Sequence, residues 1–318
     1  MKKVTIISPC LNEEKNIVRF LDAIGMQDYP HASIEVLVAD GMSTDTTREL
    51  IAEWDKSHDI DVRIVDNPRV IAEFGNSEAL KAASGDFVYL MGADEVIAQS
   101  DMISRFVQAF DVFPDIVGVE QYFLYIPGGT LVNNFLSIIQ IGDVMARDIA
   151  IKPRQIAKET VGGAVFRKYE FYPGYPSTMF LKREAIKEFI GGGTYEEGQV
   201  TLKLALDKNN KMVMIDGYGV YHYSVKSLGQ YLRKRSRIAL KHTTRVQERK
   251  TWVSYTGKRV YLFAMLHMTL VFPIIYSIAK AIQKRQVLWL LYAPMAVITT
   301  IVYAWNWLKL KITKKKAW

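Results

Sequence analysis

Two stretches near the C-terminus constrain this chain most. Residues 260–279 run for 20 positions without Lys, Arg, Asp or Glu, holding one His267 and one Pro273, and residues 287–308 run for 22 positions without any charge. A bilayer core takes about 20 apolar residues as helix, so each stretch has the length of a membrane span. Two helices buried in a core would read the same way. Three features favour the membrane. Only residues 280–286 separate the stretches. Tyr261 and Tyr276 sit near the ends of one, and Trp289, Tyr303, Trp305 and Trp307 near the ends of the other. Lys and Arg crowd the outer flanks, with five Lys in the last ten residues, which puts both flanks in the cytoplasm despite Lys284-Arg285 in the turn. The expectation is a transmembrane hairpin over residues 260–318 with a Lys-rich tail, in a multi-pass protein of the cell membrane with both termini cytoplasmic.

The charge distribution agrees. The net charge of +8 is the sum of −9 over residues 1–229 and +17 over residues 230–318, where 18 basic side chains meet one acid, Glu248. Such asymmetry implies an anionic partner, nucleic acid or membrane. The uncharged stretches inside the basic half decide for an anionic lipid membrane and against nucleic acid. Between residues 226 and 259, Leu228, Tyr231, Leu232, Ala239 and Val246 recur at rough helical spacing, with Arg233, Lys234, Arg237 and Lys241 between them. This reads as a basic amphipathic helix on a membrane surface, or as a solvated basic helix. A single cysteine, Cys10, excludes a disulfide scaffold and a Cys-based zinc site and fits a reducing compartment. The opening apolar run is too short for a secretion signal. Hydrophobic content of 49% excludes a disordered chain.

Residues 1–225 alternate strand and helix signals. Strands are expected at residues 4–8, 35–39, 62–65 and 87–91, with helices at 13–24, 46–56 and 78–83, the pattern of a parallel sheet covered by helices. Ligands of open parallel sheets bind at the carboxyl ends of the strands. Three strand ends here are polar: Ser8-Pro-Cys-Leu-Asn-Glu-Glu14, Ala39-Asp-Gly-Met-Ser-Thr-Asp-Thr-Thr47 and Met91-Gly-Ala-Asp-Glu95. Neither a Gly-x-Gly-x-x-Gly turn nor a Gly-Lys-Ser/Thr loop is present, which excludes an ordinary dinucleotide fold and a P-loop.

In order and spacing these segments resemble family 2 glycosyltransferases of the GT-A fold. Pro9, Asn12 and Glu13 match the Pro-x-x-Asn-Glu that ends the family's first strand, and Asp40 to Asp45 match its Asp-Asp/Gly-x-Ser-x-Asp element. Gly85-Asp86, residues 87–91 and Asp94 match its Asp-x-Asp region, with Gly92 where the family usually has an Asp. The resemblance implies a Rossmann-type, mainly parallel α/β sheet over residues 1–225. It implies that Pro9, Asn12, Glu13, Asp40 and Asp94 hold a nucleotide-sugar, UDP by default. It further implies that Asp94 binds Mg²⁺ or Mn²⁺, with His222 of the segment Val220-Tyr-His-Tyr223 as a second ligand. Glu197, after Gly191-Gly-Gly and beside Glu196, stands where the family has its catalytic base. Arg147, Lys152 and Arg154 are candidates for an acceptor or lipid phosphate, or belong to a solvated loop.

The chemistry suits those residue types. A hard carboxylate oxygen suits a divalent cation, which neutralises the diphosphate leaving group. A sugar hydroxyl is nearly un-ionised at neutral pH and needs a base. The expectation is an inverting transferase of lipid-linked glycan or polysaccharide synthesis, acting on a hydroxyl of a polyprenyl-diphosphate-linked saccharide. The competing readings are a transferase acting on polyprenyl phosphate itself, which needs no base, and a catalytically silent membrane-bound sugar-nucleotide binder, which Gly92 keeps open. Oligomeric state is not decided by the sequence.

Overall fold

Val4–Cys10 is apolar at most positions and forms a buried strand, β1, as expected of a strand covered on both faces. The structure is a computed structural model and describes residues 1–140, 144, 154–171, 179–190, 197–244 and 259–313. The chain divides into two compact units, Met1–Leu124 with Lys152–His222, and Tyr125–Ile151 with Tyr223–Trp318.

In the first unit β1 lies between β2 (Ile34–Asp40) and β4 (Phe87–Leu90), parallel to both, and β3 (Asp61–Asp66) continues the parallel run beyond β2. Helices α1 (Ile17–Gly25), α2 (Thr47–Ser57) and α3 (Ala72–Ala82) make the crossovers. A short strand β5 (Glu95–Ile97), helix α4 (Met102–Val112) and strand β6 (Ile116–Phe123) follow. The chain then leaves for α5 (Leu131–Ile139) of the second unit. It returns for β7 (Gln155–Val161), β8 (Ala164–Glu170), β9 (Met179–Lys182), α6 (Glu197–Leu206) and β10 (Lys211–His222).

These strands form one mixed sheet in the order β3-β2-β1-β4-β9-β6-β10-β8-β7, with β5 paired to β10. Thus the half that begins the chain is parallel, while β9 and the β7–β8 hairpin run antiparallel to their neighbours. Gly162 and Gly163, with φ of +55° and +80°, turn that hairpin in two residues, a backbone that only glycine adopts readily at both positions. Helix α4 closes one face through an aromatic cluster of Phe87, Tyr89, Phe106, Phe110 and Phe180. At the amino end of the strands, buried Glu35 accepts from Thr5 Oγ1 (2.5 Å), Ser84 N (2.6 Å) and Arg63 Nη2 (2.7 Å). Burial acts to raise its pKa, but the bonds from Thr5, Ser84 and Lys3 outweigh it and hold the carboxyl at about 2.

The second unit is helical. It contains α5, α7 (Leu228–Thr244), α8 (Arg259–Met268), α9 (Val271–Lys284), a 3-10 turn at Val287–Leu291 and α10 (Tyr292–Thr313). Its core joins Phe135, Leu136 and Ile139 of α5 to Val225, Tyr231, Trp289, Tyr292, Met295 and Ala296. Residues 125–151, which the sequence reading kept with the sheet, belong here.

The first expected membrane span is not one helix. Residues 260–279 break at Thr269 and Leu270, where Leu270 takes φ +59° and the Thr269 hydroxyl accepts from Phe272 N (3.2 Å). Pro273 lacks an N–H and is tolerated only in the first turn, so the chain must restart a helix just before it. Among the described residues one stretch, Val287–Lys309, is long and apolar enough to cross a membrane, by length and composition. The expected two-helix hairpin therefore reduces to a single candidate span.

Candidate functional site

The loops after β1 and β2 are tied together before any ligand is considered. Register pairs Cys10 with Asp40 and Asp40 with Asp66, so three strand ends finish level. Asn12 sits at φ +53°, a region Asn tolerates better than most side chains. Its amide oxygen accepts from Thr44 N (2.9 Å) and its backbone N–H donates to Ser43 Oγ (2.8 Å). Glu13 N donates to Thr47 Oγ1 (2.9 Å) and Glu14 N to Asp45 Oδ2 (3.2 Å). The Glu13 carboxylate accepts from Asn16 Nδ2, and its carbonyl takes the N–H groups that open α1. Asp45 also accepts from the Thr47 hydroxyl and from Thr47 N (3.1 Å); desolvation acts to raise its pKa, and the bonds from Thr47 and Glu14 outweigh it and lower it.

Asp40 is buried at the centre of this strap. Ser43 Oγ donates to its Oδ1 (2.5 Å) and Arg48 Nη1 to its Oδ2 (2.9 Å), while Arg48 also reaches Asp66 Oδ1 (2.8 Å). The Asp40 carboxylate has 0% of its surface exposed and Arg48 37%, so the cation is the open member of the pair. Sequence reasoning missed Arg48, whose only signal is its place in the first turn of α2. Pro9 lies in β1 opposite Ala39. The neighbouring Cys10 thiol is pushed up to about 12 by burial, with Asp40 and Glu13 adding to the rise, and is inert as a nucleophile.

The end of β4 carries the second part of the site. Glu95 N donates to Gly92 O (2.9 Å), closing a tight turn that presents Asp94. A Cβ on Gly92 would lie 2.6 Å from Asp94 Oδ1, so the carboxylate occupies the space where the family's usual aspartate side chain would start. Strand β10 ends at His222, opposite Glu95 in the β5–β10 pair. His222 Nε2 lies 3.5 Å from Asp94 Oδ2, with Phe123 packed against the imidazole at 4.7 Å between ring centres.

The structure thus brings together Asp94 and His222, 128 residues apart in the chain. Beneath them is Glu95, fully buried, accepting from Gln121 Nε2 (3.2 Å) and Gly92 N (3.4 Å), while Tyr89 OH bonds to Gln121. Burial pushes the Glu95 carboxyl up to about 7, His222 opposing the rise and Asp94 adding to it. No sequence signal separated buried Glu95 from a solvated acid. Among the described residues no three His, Cys, Asp or Glu side chains gather as a ready metal cage.

Glu197 is the first residue of α6. Glu196 and the glycines before it lie outside the described residues, as do Arg147 and Lys152. Arg154 is exposed before β7 and pairs with Glu170 at 3.5 Å.

The first unit is thus an α/β fold whose mixed sheet carries acids, a histidine and a tied double loop at the carboxyl edge of its parallel strands. The family model of glycosyl transferase family 2 matches residues 5–188, more than half of the chain, and the chain belongs to that family. It is 33% identical over 111 residues to the dolichyl N-acetyl-α-D-glucosaminyl phosphate 3-β-D-2,3-diacetamido-2,3-dideoxy-β-D-glucuronosyltransferase of Methanococcus voltae, covering 35% of this chain and 34% of that protein. It is 26% identical over 156 residues to the glycosyltransferase AglE of Haloferax volcanii, covering 49% and 50%. The matches therefore span half or less of these relatives' lengths. The mannosyltransferase PcManGT of Pyrobaculum calidifontis, solved with GDP-Man and Mn²⁺, shares the fold at a TM-score of 0.58 and 18% identity, over 96% of this chain and 88% of that one.

Proposed function

We propose that this chain is an inverting, metal-dependent glycosyltransferase that moves a sugar from a nucleotide-sugar to a hydroxyl of a polyprenyl-diphosphate-linked saccharide at the cytoplasmic membrane face. The observation that carries the reading is the Asp94–His222 pair, 3.5 Å apart, at the carboxyl edge of a family 2 sheet. Mg²⁺ usually takes one or two protein carboxylates and completes its shell with water and substrate phosphate. A carboxylate oxygen and an imidazole nitrogen at this separation suit Mg²⁺ or Mn²⁺ in that manner, and the ion, when bound, neutralises charge on the departing diphosphate.

The protein's own groups supply the rest. The Asn12–Ser43 strap and the Asp40–Arg48 pair hold a rigid wall for the nucleotide at the neighbouring strand ends. Glu95 fixes the turn that aims Asp94. Glu197, at the start of α6, takes the proton from the acceptor hydroxyl, which attacks the anomeric carbon from the side opposite the diphosphate and inverts it. The name of the Methanococcus relative describes transfer onto a sugar carried on dolichyl phosphate, which supports a lipid-linked sugar as acceptor, and the Pyrobaculum neighbour was solved with a nucleotide-sugar and Mn²⁺, which supports the choice of donor. Cytoplasmic membrane attachment rests on the basic, apolar C-terminal region.

The test is transfer by the full chain to lipid-linked acceptors, read by the mass of the lipid product. A saccharide lengthened by one sugar on a diphosphate supports the proposal, and a single sugar on a monophosphate overturns the acceptor. Glu197→Gln is expected to lose at least 100-fold in transfer rate while retaining donor binding. Full transfer by that variant removes Glu197 from the reaction.

A further inference from the structure

We propose that the second unit docks on one leaflet of an anionic bilayer and does not cross it, although Val287–Lys309 has the length to do so. The first observation is that α9 is turned inside out. Val271, Ile274, Ile275, Ile278 and Ile282 follow one helical stripe and are 49% to 73% exposed, while Pro273 and Ser277 on the inner side are buried and Ser277 Oγ donates to Trp289 O (2.8 Å). A helix of a soluble domain buries its apolar stripe. With 14 residues α9 is about 21 Å long, short of the ~30 Å hydrocarbon core. Helix α10 repeats the arrangement, with Ile301, Trp305, Leu308 and Ile312 on one exposed stripe.

The second observation concerns α7, which is bonded to the middle of the apolar stretch. Tyr231 OH and Thr299 Oγ1 are 2.8 Å apart, and Ser236 Oγ donates to Asn306 Oδ1 (3.0 Å). Thr299 stands at the centre of residues 287–309. A crossing α10 would therefore draw α7, with Arg233, Lys234 and Arg237 on its accessible sides, into hydrocarbon, where cations are strongly disfavoured. Lying along one leaflet, α10 keeps both hydrogen bonds, its stripe and that of α9 enter acyl chains, and the cations reach lipid phosphates. The occupant is lipid rather than protein because the unit is strongly cationic, with 20 basic side chains to three acids over residues 125–151 and 223–318. The inference rests on the membrane attachment proposed above.

The test places single cysteines in the full chain with Cys10→Ala, synthesised beside vesicles of phosphatidylglycerol and phosphatidylcholine. Lys284→Cys and, independently, Gln283→Cys report the end of α9, and Lys56→Cys in the first unit marks the outer side. A membrane-impermeant maleimide is expected to label position 284 or 283 within about twofold of the rate at position 56, before and after detergent. A fluorophore on Ile278→Cys or Ile301→Cys is expected to be quenched by nitroxides high on the acyl chains. Labelling of positions 283 and 284 only after detergent establishes a spanning hairpin and overturns the proposal while leaving membrane attachment intact. Vesicle-bound protein without quenching means that protein covers the stripes, which also overturns it. Failure to bind vesicles at all removes the membrane reading and this inference with it.

Discussion

At the scale of single residues, the site works by what lies under it. Asp94 and His222, both half-buried, are the proposed metal donors, and Asp94→Asn is expected to abolish stabilisation by Mn²⁺ with UDP or GDP, because a ligand that binds only the folded state raises the melting temperature by mass action. A thermal-shift series with and without Mn²⁺ checks this, and equal shifts in both proteins remove Asp94 from the metal site. A different residue governs stability. Glu35 is a buried carboxylate whose pKa is held at about 2 against an ordinary 4.5. Its stabilisation is complete above pH 4.5 and is lost as the pH falls through about 2. Glu35→Gln is therefore expected to lower stability by roughly 2–3 kcal/mol at neutral pH, a gap that closes on acidification. Denaturant midpoints at pH 7 and pH 3 test the sign. These residues also mark how far the sequence could be read. Asp94 and Asp40 were legible because local motifs carry them. The burial of Glu95 and the Arg48 cover on Asp40 were not, because each arises from a partner on another element.

At the scale of elements, two joints decide where functional groups point. Strand β10 must bulge between Met214 and Gly219 to stay paired with β6 and still deliver His222 opposite Glu95. Gly219 sits where a Cβ would fall 2.0 Å from the Tyr122 carbonyl oxygen, so no side chain fits without separating the strands. Gly219→Ala is expected to destabilise the fold by roughly 2 kcal/mol or more and to weaken Mn²⁺ binding, seen as a lower melting point and a smaller metal-induced shift. The other joint is the break before α9. Leu270 holds φ +59°, where a Cβ is strained, so Leu270→Gly is expected to be neutral or to stabilise the second unit by up to ~1 kcal/mol. A marked loss in thermal stability would show that the Leu270 side chain matters more than its backbone. The strands and crossover helices of residues 4–91 were legible from periodicity, with ends shifted by a few residues. The break at Leu270 was not read, although Pro273 marked it, because hydropathy alone counts apolar residues and ignores the missing N–H.

At the scale of the whole molecule, the charge split is the organising fact. A net −9 over residues 1–229 accompanies the acidic site, and +17 over residues 230–318 accompanies the helical unit. Attachment to phosphatidylglycerol vesicles is expected to fall several-fold between 0.05 and 0.5 M salt without vanishing, since salt screens the cations but not apolar insertion. Co-flotation at increasing salt measures this, and salt-independent attachment would assign the binding to the apolar stripes alone. The sequence by itself determined the family, the parallel half of the sheet, the polar strand ends and the basic, apolar C-terminal region, because each is written in short-range spacing or summed composition. Only the tertiary structure decided that residues 125–151 join the helical unit, that His222 meets Asp94, and that α7 is bonded to the middle of the apolar stretch. Those are contacts between distant segments, fixed by packing and hydrogen-bond partners that no local pattern encodes.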